Sequence, residues 1–234
     1  MIKAATVTFR EPFDKEGGRK MGRELVRKLG QAPQACLLFC SPEKGFEQLV
    51  PGVFECIETD LLAGCTTDGE ISPAGVCSKA AVLMGILSDN LEFETVSVDN
   101  AGKSGMKAGK ELAGKFSGPV DHILLFTDGL TTSSCEVLQG IQSVSGKGVP
   151  ISGGAAGDDG GFVRTWQFAG SQVKTDAVVA LGIRGDFKVG QGVHSGWAPV
   201  GIAKKVTKVK GNVLYELNNE PALKVYRSEE HTSE

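Results

Sequence analysis

The sequence of 234 residues is poor in aromatic side chains, carries little net charge and contains no long apolar run. No segment approaches the roughly 20 apolar residues that cross a bilayer, and residues 1–6 lack the apolar core of a signal peptide. The net charge of −3 provides no electrostatic attraction for nucleic acid or for an anionic membrane. These absences exclude a membrane protein and a small secreted scaffold held by disulfides, and we expect a cytoplasmic protein that binds neither nucleic acid nor a membrane.

Cysteine is present, but not in the spacing of a metal site. None of the six cysteines belongs to a C-x-x-C pair, and no histidine lies within a few residues of a cysteine pair as zinc sites require. Cys36 and Cys40 lie in the apolar run 35–40, where a reduced thiol packs as a small hydrophobic group. Because an export signal is missing, we expect six free thiols and no structural metal.

Glycine is abundant, with 32 residues where average usage gives about 16. The hydrophobic fraction of 41% and the charged fraction of 23% are typical of a globular domain. The excess of glycine predicts many tight turns and many places where two backbones approach closely.

Apolar runs bounded by turn residues alternate with amphipathic stretches along the chain. This pattern predicts an α/β fold, in which a mixed sheet is layered with helices. Helices are predicted at 15–29, at 104–116 and after Ser133, which forms a capping box with Glu136. The predicted strands are 3–9, 35–40, 80–87, 91–98, 122–127, 149–152, 177–183 and 187–193.

Three connections are predicted in more detail. A turn at Gly64 places the polar residues that follow it at the end of a strand. Two hairpins are predicted, one over 80–98 that turns at 88–90 and one over 177–193 that turns at 184–186.

The second half of the sequence repeats the order of the first. The matching segments are 37–39 with 124–126, 63–65 with 152–154 and 81–86 with 178–183. We infer two related halves that arose by internal duplication. The halves share one sheet or pack face to face, because a lone half would leave an apolar sheet face exposed.

Two glycine-containing segments are candidate ligand-binding sites. In the first, Gly64, Cys65, Thr66 and Thr67 offer successive backbone N–H groups, which form an anion-binding nest when a turn points them the same way. The threonine hydroxyls add polar contacts. The alternative is an ordinary exit from a strand.

The second segment, 153–161, begins with Gly153 and Gly154 and contains the adjacent carboxylates Asp158 and Asp159. Carboxylates bind an ammonium group or a divalent cation, or they stabilise turns by bonding to nearby backbone. If the duplication brings both segments to one cleft, their amides hold the carboxylate of a ligand, and Asp158 or Asp159 holds its ammonium group.

Three other residues are candidates for catalysis or cofactor binding. Asp128 follows a buried strand, where α/β proteins place ligands, or it caps the next helix. Cys65 is a candidate nucleophile, but the sequence places no base near it. His194 is either an axial ligand of haem iron or a hydrogen-bonded residue at a strand end.

Several of these segments, in this order, resemble motifs of FIST domains. Residues 64–71 resemble the strand-exit motif of the family, residues 149–159 its second glycine motif, and residues 192–201 the exit from its N-terminal half. Residues 211–226 are similar to the opening of the C-terminal half, except that Asn218-Asn219 stands where an aspartate is expected.

The resemblance implies the following domain organisation. An N-terminal FIST-like α/β domain spans 1–201, and the start of a truncated C-terminal FIST segment spans 202–226. The remaining residues, 227–234, are all polar or charged and lack periodicity, so we interpret them as a non-native tail.

The resemblance also implies a function. FIST domains are regarded as intracellular sensory modules that bind small ligands such as amino acids, so the chain is expected to be a ligand-binding sensor and not an enzyme. Its expected partner is a downstream signalling protein such as a kinase, a cyclase or a chemoreceptor. One alternative is a haem-binding nitric oxide sensor with His194 as haem ligand, and another is an enzyme that uses Cys65 or Asp128.

Overall fold

The computed structural model describes residues 1–10, 12–193, 196–199, 201–210 and 213–230, with side chains as far as residue 228. The chain divides into two compact units, Met1–Val189 and Gly190–Glu234. The first unit contains twelve strands and four α-helices in its described part. In chain order these are β1 (Ile2–Phe9), α1 (Lys15–Leu29), β2 (Ala35–Cys40), α2 (Leu49–Ile57), β3 (Leu62–Thr66), β4 (Glu70–Ser72), β5 (Gly75–Cys77), β6 (Ala81–Ser88), β7 (Glu92–Asp99), α3 (Gly105–Gly114), β8 (His122–Thr127), α4 (Ser134–Ser145), β9 (Ile151–Ala155), β10 (Gln167–Ala169), β11 (Gln172–Lys174) and β12 (Ala177–Arg184).

The predicted helix over 15–29 is confirmed, and its ends follow from its sequence. The carboxylate of Asp14 accepts a hydrogen bond from the amide of Gly17 at 2.7 Å, which satisfies a free donor of the first turn. The helix ends at Gly30. Met21 and Leu25 are buried on one face, as the 3.6-residue period of an amphipathic helix requires.

The other two predicted helices are confirmed as well, and both are capped by serine. Ser104 accepts a hydrogen bond from the amide of Lys107 at the start of α3. Ser133 accepts one from the amide of Glu136 at the start of α4. These caps fix where each helix begins after a strand.

The strands form two larger sheets that pack face to face. The first has the order β1-β6-β2-β3-β10-β11 and the second the order β7-β12-β8-β9. An apolar cluster between them includes Phe39 and Phe126, whose ring centroids lie 5.5 Å apart. Helices α1 and α2 pack on the first sheet, and α3 and α4 pack on the second. These layers confirm the α/β fold with mixed sheets and helices.

The two sheets share a four-strand pattern. In each, a parallel pair, β2–β3 or β8–β9, is flanked by an antiparallel strand, β6 or β12, and then by β1 or β7. This common order supports the internal duplication, which stays a prediction.

The predicted hairpin over 80–98 is wrong. Its strands exist as β6 and β7, but β6 pairs with β1 and β2, whereas β7 pairs with β12. The connection at 88–90 therefore leads from one sheet to the other. The buried residues on both faces of β6 suit a strand that lies inside a sheet between two others.

The predicted hairpin over 177–193 is also wrong. β12 ends at Arg184, and residues 187–193 form no strand. Because β12 already lies between β7 and β8, both of its edges are filled. No position beside it is left for the residues that follow.

The predicted turn at Gly64 is wrong, because Gly64 lies inside β3 opposite Leu38 of the parallel strand β2. Its φ is +154°, and a Cβ atom there would lie 1.8 Å from the carbonyl oxygen of Leu38. Gly153 repeats this arrangement in β9, with a φ of +142° and a distance of 1.9 Å to the carbonyl oxygen of Leu125. Both glycines thus serve a close approach of parallel strands.

The second unit contains three short strands and one helix in its described part. Strands β13 (Val206–Lys210), β14 (Val213–Leu217) and β15 (Glu220–Pro221) form an antiparallel sheet, and α5 (Ala222–Glu230) follows. The predicted domain boundaries at 201 and 226, and the non-native nature of 227–234, stay predictions. None of the described helices has the length and apolar character needed to cross a membrane.

The adjacent glycines of β9 test the role of the close strand approach. We expect Gly153→Ala to lower the free energy of unfolding by about 2–4 kcal/mol, because a methyl group collides with the backbone of β8 at an unfavourable φ. Gly154→Ala is the matched control, since a Cβ atom there meets nothing within 4 Å, and its effect is expected to stay within about 1 kcal/mol. Urea denaturation measures both, and equal effects of the two substitutions would contradict this explanation.

Candidate functional site

The two glycine-containing segments predicted as ligand sites lie in direct contact. The amide of Gly157 donates a hydrogen bond to the carbonyl oxygen of Thr66 at 2.9 Å. In return, the Thr66 hydroxyl donates to the carbonyl oxygen of Gly157 at 2.7 Å. These reciprocal bonds hold the chain that follows β3 against the chain that follows β9.

A cleft with a volume of about 290 Å³ opens beside this junction. Of the predicted ligand-binding residues, Thr67 and Asp158 line it. The other six do not: Gly64, Cys65, Thr66, Gly153, Gly154 and Asp159. The lining consists of polar and apolar groups from three segments, at and after the ends of β3, β8 and β9: Thr67, Asp68, Gly129, Leu130, Ala155, Ala156, Gly157, Asp158, Gly160, Phe162 and Thr165.

Four backbone amides of these segments, including that of Gly157 described above, are engaged within the protein. The amide of Thr66 donates to Trp166 O at 2.9 Å, and that of Thr67 donates to Cys40 O at 3.1 Å. The amide of Ala156 donates to the carbonyl oxygen of the neighbouring strand β8 at 2.8 Å. These four amides are therefore not free to bind a ligand carboxylate, because their hydrogen bonds are made within the fold.

Cys65 does not have the environment of a nucleophile. It is 3% exposed, and burial raises the pKa of its thiol to about 12. A thiol with this pKa stays protonated at neutral pH and reacts slowly.

Asp128 is used to close a loop. Its carboxylate accepts hydrogen bonds from the amides of Leu130 and Thr131 at 2.9 Å and from that of Asp176 at 3.1 Å. Burial alone raises the pKa of Asp128, but these bonds outweigh burial and the net pKa is lowered. The carboxylate is thus an ionised structural group without the free oxygen that a catalytic base needs.

Asp158 shapes the rim of the cleft. Its carboxylate accepts hydrogen bonds from the amides of Phe162, Val163 and Arg164 at 2.9, 2.7 and 3.1 Å. Desolvation raises the pKa of Asp158, but the backbone donors outweigh it and the net pKa is lowered. The structure therefore shows the turn-stabilising arrangement for Asp158, and its loop presents Phe162 at the cleft.

Asp159 belongs to an acidic group next to the cleft. Its pKa is raised, first by desolvation and then by the nearby carboxylates of Glu43 and Asp68. Lys79 lies 3.6 Å from Glu43 as a partial counter-charge. Among the residues that the structure describes, no group of three ligating side chains is arranged to hold a metal ion. The excess of negative charge here attracts a positively charged group.

Glu70 is a buried residue of this region that the sequence analysis did not single out. It is 1% exposed, and its Oε1 accepts hydrogen bonds from the hydroxyls of Ser41 and Thr67 at 3.0 and 2.7 Å. Its Oε2 has no hydrogen-bond partner in the described part of the chain. Burial raises the pKa of Glu70, although the two hydroxyls oppose this shift. In sequence, nothing distinguishes this glutamate from a surface residue.

Gln167 occupies the corresponding position in the second half. Both residues begin the first strand of a short hairpin, β4 or β10, and both are buried. Gln167 donates to the hydroxyl of Thr165 and accepts from the amide of Ala177, both at 3.3 Å. The neutral amide thus fits a buried position that Glu70 fills with an ionisable group.

His194, the predicted haem ligand, lies outside the described residues. The haem alternative therefore stays a prediction.

The paired sheets define an α/β domain, and the polar cleft at the ends of their parallel strands is its candidate small-ligand site. The family model described as FIST N domain matches residues 34–220. The chain belongs to the FIST N domain family, and FIST domains are sensory, ligand-binding domains.

Two individual proteins are similar to this chain. The uncharacterized protein MJ1623 of Methanocaldococcus jannaschii is 28% identical over 224 residues, which cover 89% of this chain and 43% of that protein. The chain thus spans less than half the length of this relative. Among solved structures, cyanuric acid hydrolase from A. caulinodans matches with a TM-score of 0.40 and 10% identity, over 80% of this chain and 72% of that chain. This likeness is too distant to bear on function.

The pair of Glu70 and Gln167 provides a test of the buried carboxylate. We expect Glu70→Gln to raise the free energy of unfolding at pH 7 by about 1 kcal/mol, because it removes a charge from a buried position. Since the pKa of Glu70 is raised above its ordinary value of 4.5, folding favours its protonated form. Its stabilising contribution is complete below that value and is lost as the pH rises through the folded-state pKa.

Urea denaturation of the wild type and of Glu70→Gln measures their difference in stability, from about pH 4, near the ordinary carboxyl pKa, up to about pH 8. The advantage of Glu70→Gln is expected to grow with pH. The reciprocal control, Gln167→Glu, is expected to lose stability as the pH rises. An advantage of Glu70→Gln that does not change with pH would contradict the assignment.

Proposed function

We propose that this domain is an intracellular sensor that binds a small polar metabolite with an ammonium group, such as an amino acid or an amine, in the cleft beside Thr66 and Gly157. The observation that carries the proposal is the meeting of the two glycine-containing segments around a polar cleft. A volume of about 290 Å³ lies at the lower end of the range for small-molecule sites.

The charges around the cleft support a ligand with an ammonium group. Asp68 lines the cleft, and its carboxylate accepts a single hydrogen bond from the described residues, a long one of 3.3 Å from the amide of Gly160. Asp159 and Glu43 add negative charge nearby. Asp158 is already satisfied by backbone amides, so Asp68 is the better partner for an ammonium group, with Asp159 as a second carboxylate.

The apolar part of the lining suits the remainder of such a ligand. Leu130, Ala155 and Ala156 supply small apolar surfaces, and Phe162 supplies an aromatic ring at the rim.

A sensor transmits occupancy through a difference in ligand affinity between two conformations. The loop at 158–164 is the candidate for the conformational response, since the amides of Phe162, Val163 and Arg164 are all held by one carboxylate, that of Asp158. The proposed recipient of the signal is a downstream kinase, cyclase or chemoreceptor.

The environments of Cys65 and Asp128 favour binding over catalysis. The first is a buried, protonated thiol, and the second is a carboxylate saturated by backbone donors. Neither offers the activated group that a nucleophilic or acid–base mechanism requires.

A thermal-shift screen with amino acids and amines, followed by calorimetric titration, tests the proposal. We expect Asp68→Asn to weaken binding of the best ligand at least tenfold, because it removes the paired charge while keeping the side-chain shape. Glu92→Gln removes an exposed carboxylate at the start of β7 and is the control that keeps wild-type affinity.

Binding is also expected to weaken as the pH falls, because the carboxylates take up protons, Asp159 ahead of an ordinary aspartate since its pKa is raised. No stabilisation by any ligand of this class, or equal affinities of Asp68→Asn and Glu92→Gln, would refute the proposed site.

A further inference from the structure

Two hairpins of this chain have the same dimensions and correspond in position. Each has two three-residue strands joined by two residues, β4–β5 after β3 and β10–β11 after β9. Ile71 pairs with Val76 in the first, and Phe168 pairs with Val173 in the second. The two hairpins differ, however, in whether they pair with a larger sheet.

The β10–β11 hairpin is joined to the edge of a sheet. β10 lies antiparallel to β3, with Phe168 opposite Gly64. The Phe168 side chain is fully buried, and its ring centroid lies 6.4 Å from that of Phe46. A hairpin of this size therefore covers the outer edge of a parallel pair and contributes an apolar side chain to the core.

The β4–β5 hairpin has no such partner in the described structure, where it forms a two-stranded sheet of its own. Ile71 and Val76, which correspond to Phe168 and Val173, are 80% and 82% exposed. Cross-strand partners point to the same face of a hairpin. The hairpin thus presents two adjacent apolar side chains to solvent, an arrangement that indicates a missing contact.

β9 is an edge strand that lacks a neighbour on its outer side. Among the described residues it pairs with β8 alone, whereas its counterpart β3 pairs with β2 and β10. Gly153, Gly154 and Ala155 are exposed there. The strand reads Ile-Ser-Gly-Gly-Ala, without the charges or proline that protect a free edge against association.

We propose that the β4–β5 hairpin of one copy of this chain adds to the β9 edge of a second copy, as β10–β11 adds to β3 within the chain. Ile71 then lies opposite Gly153, as Phe168 lies opposite Gly64. A second copy fits this edge because every copy carries both the unpaired hairpin and the unpaired edge. The chain also contains one such pairing already, that of β10 with β3.

Main-chain hydrogen bonds supply the attraction in such strand addition, and the side chains supply the specificity. Since hairpin and edge are different surfaces, the contact is heterologous. If each of two copies binds its hairpin to the β9 edge of the other, the result is a closed dimer. If each copy binds its hairpin to the edge of the next copy, the result is a longer oligomer.

Sedimentation velocity of the whole chain, from about 1 to about 100 µM, tests the proposal in the range where small interfaces associate. We expect the mass to rise with concentration from 24.6 kDa to at least twice that value. The double variant Ile71→Lys, Val76→Lys is expected to remain monomeric. The control Ile202→Lys replaces another side chain that is 87% exposed and is expected to associate like the wild type.

Hydrogen exchange locates the contact independently of these variants. The amides of residues 152–155 are expected to exchange at least tenfold more slowly at the higher concentration, while those of β6 are unchanged. A wild-type chain that stays monomeric over this range overturns the proposal. This is the result expected if a segment of another protein, and not a second copy, covers β9. Association without protection of β9, or association that survives in the double variant, also overturns it.

Discussion

Thr66 is the residue on which the cleft depends. Its amide donates to the carbonyl oxygen of Trp166, its carbonyl oxygen accepts from the amide of Gly157, and its hydroxyl bonds to both of these neighbours. All of these bonds form at a fully buried position, where an unmatched polar group is strongly unfavourable. The two halves of the first unit are thereby fixed against each other at the ends of β3 and β9, and the cleft is the space that this junction leaves open.

The two halves use the same backbone geometry for different purposes. Gly64 and Gly153 allow the same close approach of parallel strands, yet β3 is covered by a hairpin, whereas no described strand pairs with the outer edge of β9. Glu70 and Gln167 begin equivalent hairpins, yet one is ionisable and the other is neutral. These differences place acidic groups and an open strand edge in a framework that is otherwise repeated, and function is expected where the repeat departs from symmetry.

Local signals in the sequence predicted most of the elements but not how they pair. Asp14 and Gly30 bound a helix that is predictable from caps and periodicity, whereas strands 80–87 and 91–98 lie in different sheets because sheet neighbours depend on tertiary packing. Gly64 and Gly153 do not reveal their role in the sequence, because glycine suits a turn and a close strand approach equally well. In the site, the meeting of the two segments was predictable from the repeat, whereas the engagement of their amides and the burial of Glu70 depend on partners distant in sequence.

The most direct test of the account is amide chemical-shift mapping of the whole chain during titration with the amino acid or amine that gives the largest thermal shift. If the cleft beside Thr66 is the binding site, the largest changes fall on residues 67–68, 129–130 and 155–165, and they saturate together. If the largest changes fall outside these residues, or if no amino acid or amine produces any change, the cleft is not the ligand site of this domain.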